Sequence, residues 1–351
     1  MVGKPLKIGK LEIKKLKLSR KTLTHHFSGG KTFMKRAIFL AKKAPNPSPN
    51  PKVGAVVLRN GKIVGEGFHE KAGEPHAEIL ALRQAGKRAN GSELFVTLEP
   101  CHHLGRTPPC SREILAAGIK KVWIGMRDPN PKARGGIEFL QKNGIEVEVG
   151  ILESECRELN QIWLKNISKK IPFVTLKLAV DEQSSTLPPA GKKWITNEKS
   201  RREVMKMRRN FDAIAVGVGT ILADNPRLTV RGLKITKQPT RIIFDPNQRM
   251  PRSAGVLNDG GKTIVISRKE FPNFNLRKIL QNLFKKGICS IFLEGGEFTA
   301  RKFLEADLVD QVLIFQKNAR GVPRVCGRKL ALKKVGEFDE DVLFEAKLRK
   351  Y

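Results

Sequence analysis

The sequence of 351 residues predicts an α/β protein made of two domains in series. Three observations carry that prediction. Short apolar, β-branched runs alternate with amphipathic stretches along most of the chain, which is how strands and helices follow one another in α/β folds. The chain is longer than one core usually serves. A charged stretch over 151–170 parts one alternating series from the next.

Taken in order, residues 6–20 hold three five-residue units, Leu6–Lys10, Leu11–Lys15 and Leu16–Arg20, whose period fits neither a helix nor a strand. The span 1–32 therefore reads as a basic, disordered extension, with a membrane, partner or organelle address as the alternative. Met34 opens the first helical pattern, which runs to Ala44 and stops at the prolines of Pro45–Pro51. Val53–Leu58 and Ile63–Phe68 read as strands joined at Asn60-Gly61, a tight hairpin signal. Glu74–Gly86 is helical, with Pro75 tolerated in the first turn. Strand Glu93–Thr97, helix Pro109–Gly118, strand Val122–Gly125, helix Gly136–Lys142 and strand Val147–Val149 complete a first domain over 33–150.

The stretch 151–170 reads as a helical connector to a second domain over 171–351. There, strands are expected at Phe173–Ala179, Ala213–Gly217, Arg241–Phe244, Thr263–Ser267, Cys289–Leu293 and Val312–Phe315. A basic helix is expected at Ser200–Arg209 and a further helix at Thr299–Leu304, while the strand Ala213–Gly217 leads into Val218–Asp224. Gly295 and Gly296 sit between a strand and a helix, where bare backbone N–H groups can approach a phosphate, so they are candidate nucleotide contacts.

The composition restricts the function classes. No apolar run reaches transmembrane length, and the five cysteines form an odd set without a secretory signal, so a soluble protein of a reduced, cytoplasmic compartment is expected. The net charge is +33, of which residues 1–36 carry +10, leaving +23 on the body. Such a surface attracts nucleic acid and phosphorylated metabolites alike. With aromatics at only 6%, no stacking platform for nucleic acid is evident.

The chemistry is concentrated between His76 and Cys110. His76, Cys101 and Cys110 offer one imidazole and two thiolates, a set that suits tetrahedral zinc with a fourth position open to water. Glu78, two residues beyond the histidine, is placed to move protons without being a ligand. Cys110 opens a helix, where the dipole favours a thiolate. Eight residues separate the cysteines, where the general nucleobase-deaminase signature has two.

That spacing, with P-N-P-K-V-G at Pro49–Gly54, A-G-E-P-H-A-E at Ala72–Glu78, T-L-E-P-C at Thr97–Cys101, H-L-G-R-T-P-P-C at His103–Cys110, D-P-N-P at Asp128–Pro131 and D-N-P-R-L-T-V-R at Asp224–Arg231, resembles the bifunctional riboflavin-biosynthesis deaminase/reductase family. The resemblance implies a cytidine-deaminase-like first domain and a dihydrofolate-reductase-like second one. It implies zinc-dependent deamination of a phosphoribosylated diaminopyrimidinone, then reduction of its ribose by NADPH; a homo-oligomer is expected. Asn50 and His69 resemble positions that hold the pyrimidine. Arg208, Leu228, Arg231 and Glu294 fall at substrate positions of the second domain, and Ala179, Trp194, Thr220 and Asp224 at NADPH positions. His102 and His103 are not needed as ligands.

The chain departs from the family at Val180–Ser184, where V-D-E-Q-S replaces a Ser-Leu-Asp-Gly turn, at Thr186–Lys192, with Lys192 at a substrate-serine position, and at Gln316–Cys326. Acidic side chains in a turn that approaches a dinucleotide repel its phosphates. Two alternatives follow: a deaminase with a degenerate reductase domain, and a nucleic-acid-binding or editing deaminase suggested by the charge.

Overall fold

The structure is a computed structural model describing residues 28–351 except 45, 104–107, 189, 192 and 236. The basic repeat over 6–20, the Leu104–Thr107 part of the long cysteine loop and Lys192 lie outside the described residues.

Helix α1 (Ser28–Ala41) buries Met34, Ala37, Ile38 and Ala41, an i, i+3, i+4, i+7 stripe laid on the first sheet. It starts six residues before Met34, so the expected extension overlaps the helix. The helix ends at Ala41 instead of Ala44, with Lys42 and Lys43 in a turn ahead of the proline-rich loop. Arg36 grips Glu66 through two hydrogen bonds of 2.6 and 2.8 Å, tying the helix to the sheet edge.

The first sheet contains β1 (Gly54–Arg59), β2 (Lys62–Phe68), β3 (Glu93–Leu98), β4 (Lys121–Met126) and β5 (Glu146–Val149) in the order β2-β1-β3-β4-β5. The β1 strand runs antiparallel to both neighbours, while β3, β4 and β5 are parallel. Helices α2 (Ala77–Ala85), α3 (Cys110–Ala116) and α4 (Gly136–Lys142) accompany it. The α2 helix begins after Pro75 instead of at Glu74, because His76 takes the extended N-cap conformation. A Cβ on Gly67 would lie 2.4 Å from the Ala77 carbonyl oxygen, so only glycine lets α2 settle this close to β2.

The expected connector resolves into α5 (Glu153–Leu159) and α6 (Gln161–Lys169). Both belong partly to the first core, through buried Cys156, Trp163 and Leu164. The opposite face of α6 turns Lys165 and Asn166 to the second domain, where Asn166 Nδ2 donates to the Cys289 carbonyl at 3.0 Å.

The second sheet has the order β12-β13-β11-β6-β10-β7-β8-β9. Its parallel part consists of β6 (Phe173–Val180), β7 (Ala213–Gly217), β8 (Thr240–Phe244), β9 (Thr263–Ile266), β10 (Ser290–Leu293) and β11 (Gln311–Lys317). The carboxyl-terminal pair β12 (Lys333–Phe338) and β13 (Asp341–Lys347) adds antiparallel edge strands absent from the sequence expectations. Helices α7 (Glu198–Arg208), α8 (Val218–Asp224), α9 (Gly255–Asn258), α10 (Leu276–Lys285) and α11 (Glu297–Glu305) connect or flank the strands. Here α9 and α10 also went unexpected; α10 buries Ile279, Leu280 and Leu283.

Candidate active sites in the two domains

The first-domain site forms where α2 and α3 begin and β3 ends. His76 is the N-cap of α2, Cys110 is the first residue of α3, and Cys101 follows β3 by three positions. His76 Nδ1 lies 3.1 Å from Cys110 Sγ and 3.6 Å from Cys101 Sγ, and the three donor atoms lie within 4.8 Å of one another. Tetrahedral zinc with ordinary Zn–N and Zn–S bonds needs donors roughly 3.5–3.8 Å apart. The donor set fits that ion, with the His76–Cys101 separation in that range and the His76–Cys110 separation shorter.

The titration of these groups follows the hydrogen bonds they make with one another. The hydrogen bond from the Cys110 thiol draws Cys101 down to about 4 against the opposing burial, with His76 and the Cys110 N–H adding to the pull. The same shared proton pushes Cys110 up. Hydrogen bonding to Cys101 raises His76 to about 8. Burial lifts Glu78, 3% exposed, to about 7 against the pull of His76. A carboxyl poised near neutrality can both accept and return a proton.

A cavity of about 570 Å³ opens on these groups. Asn50 and His69 line it and meet at 2.9 Å, Asn50 Nδ2 to His69 Nε2, while His69 Nδ1 lies 3.2 Å from the Pro75 carbonyl oxygen. One tautomer satisfies both contacts, with Nδ1 protonated and Nε2 accepting. Burial lowers the pKa of His69. His102 turns away from the metal donors to Ser111 Oγ at 2.8 Å and stacks on Phe139. His103 lines the cavity outside the three-donor group.

Sequence reasoning missed two acids here. Buried Glu99 accepts from the backbone N–H groups of Asp128, Gly135 and Ile137, fixing the loop that follows β4. Asp128 lines the cavity, and burial lifts its carboxyl to about 6. The T-L-E-P-C and D-P-N-P motifs contained both residues, but only the fold shows that they meet.

In the second domain, the Arg208 fork meets Glu294 at 2.6 and 3.0 Å and also donates to the Thr229 carbonyl at 2.8 Å. Much of its fixed fork is thereby engaged within the protein. Lys177, in mid-strand on β6 and not singled out by sequence, is electrostatically coupled to Glu294 and Arg208, and burial lowers its pKa. Burial opposes ionisation of Glu294, yet Arg208 and Lys177 hold it below the ordinary carboxylate value.

The other expected residues are more dispersed. Leu228 is buried with φ 50°, while Asp224 and Arg231 are exposed and Thr220 and Ala179 are half-buried. Trp194 is 53% exposed, with the Arg201 and Lys193 cations 5.4 and 5.5 Å from its ring centre. Gly295 and Gly296 form the turn from β10 to α11. A Cβ on Gly295 would meet Thr299 at 2.8 Å, whereas Gly296 faces open space. Open backbone at a strand-to-helix turn fits the approach of a dinucleotide phosphate.

The altered segments meet each other. Asp181 Oδ1 accepts from the Gln183 and Ser185 N–H groups, and Glu182 accepts from Asn318 Nδ2 at 2.8 Å and pairs with Arg320 at 3.5 Å. Ser184 Oγ accepts from Arg324 N–H at 3.2 Å. Glu182 is thus paired by the other departing segment, while Asp181 bonds only within its own turn.

Residues 28–126 match the cytidine and deoxycytidylate deaminase zinc-binding region, and residues 172–328 match the RibD C-terminal domain. The riboflavin biosynthesis protein RibD of Aquifex aeolicus is 44% identical over 327 residues, covering 87% of this chain and 90% of that protein. This chain belongs to the RibD family. RibD of Escherichia coli is 37% identical, over 81% of this chain and 86% of its own length. The crystal structure of a diaminohydroxyphosphoribosylaminopyrimidine deaminase/5-amino-6-(5-phosphoribosylamino)uracil reductase from Thermotoga maritima matches with a TM-score of 0.83 at 38% identity, over 92% of this chain and 99% of that one. Acinetobacter baumannii RibD matches with a TM-score of 0.79 at 34% identity, over 91% and 99%. The protein is a bifunctional enzyme of riboflavin biosynthesis, as its RibD family predicts, with zinc for its deaminase half and NADPH for its reductase half. A small phosphorylated pyrimidine is a consistent substrate, and no described helix is long and apolar enough to cross a membrane.

Proposed function

We propose that His76, Cys101 and Cys110 hold the zinc and that Glu78 is the proton carrier of deamination. The observation that carries this reading is the buried carboxyl of Glu78 beside three donors spaced for one tetrahedral ion. Zinc held there supplies an acidified water. Glu78 would carry the proton released from that water to the ring nitrogen as the water oxygen bonds to the amine-bearing carbon, then carry the new hydroxyl's proton to the amine, which leaves as ammonia when its C–N bond breaks. Asn50 and His69 orient the pyrimidine, their contact limiting how either can turn.

In the second domain, Arg208, Leu228, Arg231 and Glu294 serve the phosphoribosyl substrate, while Ala179, Trp194, Thr220, Asp224, Gly295 and Gly296 serve NADPH. The Glu294–Arg208 pair supports this reading because it places buried charge beside the glycine turn. The functional division follows 33–150 and 171–351, and the enzyme works in the cytoplasm as a homo-oligomer. Exposed Leu187, Phe298 and Val322 are available to an assembly contact.

Incubation with the diaminopyrimidine substrate, with and without NADPH, tests the reading when products are identified by mass. The deaminated ribosyl product is expected without NADPH and the ribityl product with it. Deamination with no NADPH turnover on the deaminated intermediate would instead identify a silent reductase domain. Light scattering of the eluting protein tests the oligomer.

A further inference from the structure

We propose that Asp212, in the second domain, is a positioning residue for deamination in the first. Asp212 immediately precedes β7 and is half-buried at the seam between domains. Its Oδ1 accepts from Asn46 Nδ2 at 2.9 Å, and its Oδ2 accepts from Ser48 Oγ at 3.2 Å. Both partners belong to the proline-rich loop of the first domain. The same Oδ2 accepts from the Cys289 and Ser290 N–H groups, each at 2.9 Å, and from Ser290 Oγ at 3.0 Å. A carboxylate so held by the second sheet is a fixed anchor, and charge-assisted hydrogen bonds make the attachment firm.

The anchored loop leads directly to the cavity. Ser48 N donates to Asn46 Oδ1 at 3.2 Å, and Asn50 N donates to the Pro47 carbonyl at 3.0 Å, closing a turn. That turn delivers Asn50 to the cavity wall and to His69. Phe284 and Cys289 of the second domain line the same cavity, so the wall itself crosses the seam. Asp212 therefore fixes both the loop carrying Asn50 and the backbone of one opposing wall residue. Misplacement of a substrate-orienting group by an ångström can lower a rate by about 100-fold, which gives a remote anchor leverage over catalysis.

The proposal rests on the reading of Asn50 as a pyrimidine contact, and the test separates the two. Three full-length variants are compared: Asp212→Asn, the pair Asn46→Ala with Ser48→Ala, and Asn50→Ala. Ammonia release gives kcat and KM for deamination, NADPH oxidation on supplied deaminated intermediate reports the other site, and zinc content reports the metal site. The pair variant keeps every Asp212 contact within the second domain. It is expected to lose about tenfold or more in kcat/KM for deamination, mainly through KM, with full zinc and unchanged NADPH oxidation. Asp212→Asn should show the same deaminase loss. Full deaminase activity in the pair variant beside an impaired Asn50→Ala overturns the proposal alone. Full activity in Asn50→Ala overturns the underlying reading, and the proposal with it. Zinc loss, or equal losses in both activities of the pair variant, indicates general loosening and also overturns it.

Discussion

Lys165 Nζ donates to Asp310 Oδ2 at 2.5 Å, with side chains 2% and 0% exposed. The same oxygen accepts from Val174 N–H at 2.7 Å, and the other carboxylate oxygen accepts from Tyr351 at 2.5 Å. A helix built largely into the first core is thereby joined to the second sheet through a dry ion pair. Asp310→Ala leaves the ammonium without its partner and should cost about 3–5 kcal/mol. Replacing both residues, as Lys165→Met with Asp310→Leu, should recover the part due to the unpaired ammonium and no more, because Val174 N–H and the Tyr351 hydroxyl still lack their acceptor. Denaturant unfolding of both variants checks the order.

Glu78→Gln keeps the side chain's size but removes its capacity to take up and return a proton. Deamination should fall by about 10²–10⁴-fold with zinc content unchanged. Ammonia release and metal analysis on the same sample test this. Substantial activity in the zinc-loaded variant contradicts the assigned role.

Cys110→Ala removes one metal donor and leaves the second-domain site untouched. The variant should lose its zinc and its deamination, while NADPH oxidation on supplied deaminated intermediate continues. Metal analysis of the purified enzyme should find about one zinc per wild-type chain.

Arg208→Met tests the charge balance around Glu294. Because Glu294 titrates below its ordinary 4.5 in the folded protein, its stabilising contribution is present above that value and lost as pH falls through the folded pKa. The variant should therefore be less stable at neutral pH. Its deficit relative to wild type should shrink as pH falls below about 4.5, through the lowered pKa of the folded wild-type carboxylate. Urea titrations across that range provide the measurement.

Legibility in the sequence followed the range of the interactions involved. The gathering of His76, Cys101 and Cys110 in one place, with Glu78 beside them, could be anticipated because a tetrahedral ion needs nitrogen and sulfur donors at restricted positions, and their helix and strand ends carry local signals. Most strands were likewise visible from buried runs such as Ala213–Gly217. The β12 strand was not, since its edge position leaves an exposed, charged sequence without an apolar stripe. Helix α10 does carry a local signal, the buried face of Ile279, Leu280 and Leu283. Glu99, Lys177 and Asp212 acquire their roles only when distant segments meet. Local patterning does not specify those encounters.

The strand order of the two sheets also bears on how the chain folds as it is made. Every strand of the first sheet lies within 54–149, so its pairings can close soon after that segment leaves the ribosome. In the second sheet, β6 emerges first yet lies between β10 and β11, whose residues arrive more than a hundred positions later. Until then β6 has two bare, strongly apolar edges, because the cost of closing so long a loop must be met before pairing returns any energy. The interval between synthesis of β6 and of its partners is thus the period of greatest aggregation hazard. Slower elongation there would prolong exposure of the strand, and a chaperone bound to it would protect the nascent enzyme when its zinc domain is already formed.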